Sequence, residues 1–74
     1  MVNKKISINT EFIKLDSLLK LIGEVSTGGQ AKLMIQNKEV LLNGEICTLR
    51  GKKIYPGDVV MINGNLYSVE AGEK

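Results

Sequence analysis

Seventy-four residues with 43% hydrophobic and 24% charged side chains describe one small folded domain rather than a disordered tail, and one that buries only about 60% of the surface its unfolded chain exposes. Ten basic against eight acidic residues leave a net charge of +2, too little to predict a nucleic-acid partner from the total. No apolar run approaches the roughly 20 residues of a membrane span, residues 1–10 lack the apolar core of a secretion signal, and the lone Cys47 cannot form an intrachain disulfide, so a cytoplasmic protein is expected.

In chain order, Ile6 and Ile8 alternate with Lys5, Ser7 and Asn9, the period-two pattern of a half-buried strand. Leu15, Leu18, Leu19, Ile22 and Val25 fall at helical spacing, with Asp16 in the first turn and Gly23 marking the end. Thr27 and Gln30 have capping-box spacing, so a second helix starts there with Ala31, Met34 and Ile35 facing inward. It ends at Asn37-Lys38, one of which must take a left-handed backbone.

Residues 40–42 and 45–47 flank Asn43-Gly44, a strong hairpin signal because both turn positions need positive φ. Pro56-Gly57-Asp58 turns the chain into a strand at 59–62, and residues 63–65 turn it into another at 66–69, with 71–74 expected to fray. Two short helices packed on one face of a small, mainly antiparallel sheet follow, an α+β fold.

One ordered set of residues stands out: Lys14-Leu15-Asp16, Thr27 through Ala31, Ile35, Val40, Leu42-Asn43-Gly44 and Gly57-Asp58. This set resembles the S-four RNA-binding domain, with its alpha-L motif, over about two thirds of the chain, and the spacing holds without a gap from Leu15 to Gly44. The run at 28–32 and the loop Arg50-Gly51-Lys52-Lys53 look most like the small stand-alone YaaA-like proteins of that family. The resemblance implies a single domain over residues 1–74 with its core motif at about 12–62. It also implies an RNA-binding surface on the helix pair and the loop joining it to the sheet.

Carried over by position, Lys14 stands where the pattern has its first arginine, keeping the charge without the bidentate fork. Lys32 sits where the family often has a basic residue. Gly28 replaces the second motif arginine, and Lys38 stands where glycine is usual. Gly28 and Gly29 either turn the chain between helices or leave the first amides of a helix open to a backbone phosphate. The segment from Lys14 to Lys53 holds seven basic and four acidic residues, and Arg50, Lys52 and Lys53 form its densest run. The candidate RNA contacts are therefore Lys14, Gly28, Gly29, Lys32, Lys38, Arg50, Lys52 and Lys53.

Phe12, Tyr55 and Tyr67 are the only aromatic rings, so recognition by shape and phosphate is expected rather than a stacking platform. With no histidine, and no His or second Cys beside Cys47, neither catalysis nor a metal site is expected. Asp16 and Asp58 take structural roles at a helix start and a turn, and Cys47 packs as a small residue. The function these readings imply is non-enzymatic binding of structured RNA, ribosomal RNA above all, in ribosome assembly or maturation. Neither a cofactor nor a small-molecule substrate is expected, and the default state is a monomer. The alternative is a protein-interaction adaptor that keeps the fold without binding RNA.

Overall fold

A computed structural model describes residues 3–72. Seven strands and two helices follow one another as β1 (Asn3–Ile8), β2 (Ile13–Lys14), α1 (Leu15–Leu21), α2 (Gly28–Gln36), β3 (Val40–Leu42), β4 (Glu45–Ile46), β5 (Lys53–Ile54), β6 (Val59–Ile62) and β7 (Asn65–Ala71). Five strands form one sheet in the order β1-β7-β6-β3-β4, antiparallel except where β1 lies parallel to β7.

The registers explain why this sheet has a core face. Val40 lies opposite Ile62, and Val60 opposite Tyr67, with Val69 beside Ile6. Val40, Val60, Ile62, Tyr67 and Val69 are all buried, and they join Leu15, Leu18, Leu19, Ala31 and Ile35 from the helices in one cluster. Ala31 is fully buried among these side chains; a methyl there lets short helices approach closely, and a larger group would overpack them.

Local chemistry sets the boundaries. The first helix is shorter than its periodicity suggests. It stops at Leu21, and Gly23 takes φ +83° just beyond the cap, a left-handed exit that glycine adopts at little cost. Val25 is therefore buried from the connecting loop, not from the helix. The second helix is capped by Thr27, whose Oγ1 accepts from the Gln30 amide at 3.2 Å. The return bond of the box is shifted by one residue: Gln30 Oε1 accepts from Ser26 N–H at 2.7 Å. At its far end Asn37 stays right-handed and Lys38 takes the left-handed turn at φ 61°.

Both Asn-Gly pairs close two-residue hairpins with positive φ at each position, Asn43-Gly44 between β3 and β4 and Asn63-Gly64 between β6 and β7. Asn65 belongs to β7, not the turn, and Cys47 lies just past β4. Ala71 is the last residue of β7, paired with Ile8, and the Gly72 amide donates to the Ile8 carbonyl at 2.6 Å, so 71 and 72 are not frayed. Residues 73 and 74 of the expected tail lie outside the described residues. Asp58 does more than shape its own turn. Its carboxylate accepts from Tyr55 N–H (2.8 Å) and Asn43 Nδ2 (3.2 Å), while Asn43 Oδ1 accepts from Val59 N–H (2.9 Å), which staples the first hairpin to the Pro56-Gly57 turn.

Candidate nucleic-acid interface

Four of the eight candidate residues converge on the start of α1. Lys14 is the N-cap of that helix and offers it no side-chain bond. The first amides bond to the basic loop instead. Leu15 N–H donates to the Lys52 carbonyl at 2.9 Å, and Asp16 N–H donates to the Arg50 carbonyl at 3.1 Å. These bonds satisfy donors that a helix leaves orphaned, and they fix the loop in place.

The same loop continues into β5, which pairs with β2 as a separate two-stranded sheet. Lys53 is thus a strand residue, where the sequence suggests loop. Its cross-strand partner is Lys14, while Ile13 meets Ile54 on the other face. Ile54 is fully buried, so the face carrying the two lysines looks outward, and both are exposed. Like charges directly opposite each other in an antiparallel pair destabilise it by roughly 0.2–1 kcal/mol, and an anion between them would remove that repulsion.

Arg50 is less free than its place in the run implies, because its Nε lies 3.4 Å from Asp16 Oδ2. The pair is partly exposed and is worth about 0–1 kcal/mol. Asp16 therefore anchors the basic loop as well as standing in the first helical turn. Lys52 borders an open depression of about 280 Å³ beside β4, with Ile46 and Leu49 on its rim. The Cys47 side chain is buried there, its Sγ 3.9 Å from the Leu49 carbonyl.

The α2 residues form a second group. Gly28 and Gly29 are the first two helical residues, not a turn, and neither has positive φ. A Cβ at Gly28 would meet nothing within 4 Å, and one at Gly29 only Thr27 Oγ1 at 3.8 Å. The fold therefore has no steric need for either glycine. Lys32 is exposed one turn along the same helix. Lys38, also exposed, lies at the other end, about 15 Å from Gly28 at 1.5 Å per residue.

No stacking platform is expected from three scattered rings, yet two of the three meet at the basic strand pair. Phe12 and Tyr55 flank the Ile13–Ile54 pair, with ring centroids 5.8 Å apart and planes inclined by 51°. Lys53 Nζ sits 4.9 Å from the centre of the Phe12 ring. The signal was present in the order Phe12-Ile13-Lys14 and Lys53-Ile54-Tyr55, but only the pairing of two two-residue strands makes it legible. The third ring, Tyr67, is buried, and its hydroxyl donates to Glu24 Oε2 at 2.7 Å. That bond, reinforced by burial and by the carboxylate's charge, raises the phenol above its ordinary value, and Asn65 opposes the shift.

Among the described residues no three metal-ligating side chains cluster, and no helix is long and apolar enough to cross a membrane. The family model for the S4 domain matches residues 6–70. The chain belongs to the S4 domain family. It is 49% identical over 59 residues to the probable ribosome maturation protein RlbA of Bacillus subtilis, covering 80% of this chain and 83% of that protein. Against small ribosomal subunit protein uS4 of Coxiella burnetii it is 29% identical over 49 residues, 66% of this chain but only 24% of that longer protein. Its fold matches the solution structure of YbcJ from E. coli, described as revealing an alfaL motif involved in RNA-binding. The TM-score is 0.69 with 32% identity, over 90% of this chain and 86% of the other. The S4 domain and these relatives bear out both the two-helices-on-a-sheet architecture and the expectation of a non-enzymatic protein.

Proposed function

We propose that this S4 domain binds structured RNA, ribosomal RNA in particular, and acts in the cytoplasm during assembly or maturation of a ribosomal subunit. One observation carries the reading: two exposed lysines, Lys14 and Lys53, face each other across a strand pair, a repulsive arrangement that an RNA phosphate would relieve. Relatives named for ribosome maturation and for an RNA-binding motif support the choice of RNA. Docking is electrostatic. Lys14, Lys52 and Lys53, with Arg50 held by Asp16, meet one stretch of backbone, and the open amides at Gly28 and Gly29 with Lys32 meet another. Lys38 adds a more distant charge. The chain works as one unit and as a monomer, with no small-molecule substrate.

The test is a salt titration of binding to purified ribosomal RNA. Neutralising about four to six phosphates gives a slope of log affinity against log salt of roughly −3 to −5, and Lys32→Ala and Lys53→Ala each flatten it by about one. Salt-independent binding, or unchanged slopes in both variants, contradicts the proposal.

A second reading, a protein-interaction adaptor without RNA binding, draws on the outer face of the sheet. There Leu41, Met61 and Leu66 align in register, with the exposed Ile46 beside Leu41. An apolar stripe of this kind suits a protein partner better than a phosphate backbone.

A further inference from the structure

We propose that Tyr55 is a stacking site for one unpaired base, so that the preferred RNA carries a bulged or single-stranded nucleotide next to the helical backbone that the lysines hold. This rests on the RNA-binding reading and names the kind of RNA within it.

Three observations lead to it. Tyr55 is 42% exposed, so much of the residue is open to solvent although its backbone is held in a tight turn. Its backbone is fixed at both polar ends: the amide donates to Asp58 Oδ2 at 2.8 Å, and the carbonyl accepts from Asp58 N–H at 3.0 Å. The ring leans on Phe12, whose face is taken by the Lys53 ammonium. Phe12 is thus a prop, and Tyr55 presents the accessible aromatic surface.

The charges around it select the ligand. Continuing the register outward from Ile13–Ile54 puts Phe12 opposite Tyr55, on the same side of the pair as Lys14 and Lys53. An aromatic surface two residue pairs from two exposed lysines, neither of them in an ion pair, matches a nucleotide, with its base on the ring and its flanking phosphates on the lysines. An apolar peptide side chain would bring no anion to Lys14 and leave Lys53 with the Phe12 ring alone. A fully paired duplex would present phosphates but no free base to the ring.

The experiment compares two RNA hairpins of identical stem sequence, one fully paired and one carrying a single 2-aminopurine bulge, with the wild type, Tyr55→Phe and Tyr55→Ala. The wild type and Tyr55→Phe bind the bulged hairpin about tenfold more tightly than the paired one and quench the 2-aminopurine, while Tyr55→Ala binds both alike at the paired-stem affinity. Equal affinity of the wild type for both hairpins overturns the stacking site and leaves RNA binding standing. Binding to neither overturns both. Because the Tyr55 ring is not part of the buried core, unchanged melting temperatures accompany these results, and a Tyr55→Ala variant that keeps the bulge preference while folded also overturns the proposal.

Discussion

At the scale of single residues, Lys38 carries an instructive conflict. It holds a left-handed backbone at φ 61°, which a non-glycine residue adopts at roughly 1 kcal/mol or more. It stands where the family usually has glycine. Lys38→Gly is expected to stabilise the fold by up to about 1 kcal/mol, read as a melting temperature several degrees higher, while weakening RNA binding about twofold or more. A stability gain with unchanged affinity would remove Lys38 from the contact set. The residue also marks a limit of sequence reading. Either Asn37 or Lys38 was able to make the turn, and the choice depends on where α2 ends, with Lys38 N–H reaching the Ile35 carbonyl at 3.1 Å. Asp16 and Asp58 show the reverse: their structural roles followed from position alone, but the partners Arg50 and Asn43 come from distant parts of the chain.

At the scale of elements, the first turn of α2 separates folding from function. A glycine costs up to about 1 kcal/mol relative to alanine in a helix interior and less in the first turn, where these two lie, and no neighbouring atom requires them. Gly28→Ala and Gly29→Ala are each expected to leave stability unchanged or raise it by up to about 1 kcal/mol, and to weaken RNA binding several-fold by crowding the open amides. Full affinity in the double variant would assign the glycines no part in docking. The larger elements were legible because their chemistry is local: Asn43-Gly44 demands positive φ, and Thr27 with Gln30 closes a cap within four residues. The strand pair β2–β5 was not, since two residues are too few to show a period and their partners lie about 40 positions apart. For the same reason the basic run reads as a free loop in sequence, although two of its carbonyls cap α1. Val25 misled by keeping helical spacing past a glycine that ends the helix.

At the scale of the whole molecule, the Tyr67–Glu24 bond ties the last strand of the sheet to the loop between the helices. Because the folded state holds the phenol protonated above its ordinary value, this contribution is fully present below about pH 10, where the unfolded chain's tyrosine titrates, and is lost as pH rises through the higher folded value. Tyr67→Phe is expected to lower stability by about 1–3 kcal/mol at neutral pH. The difference from the wild type should shrink above pH 10 in denaturant melts; a constant difference would mean that the Tyr67–Glu24 bond contributes nothing that titrates. The helices and basic strand pair lie on a frame held by such long-range ties, and this frame orders the strands and loop that carry the exposed lysines. The most direct measurement is sedimentation of a cell lysate through sucrose gradients at low and high salt, with and without ribonuclease. If the proposed docking on ribosomal RNA holds, the protein co-migrates with a ribosomal subunit or its precursor and both salt and ribonuclease abolish this; migration only in the top fractions at both salt concentrations overturns it.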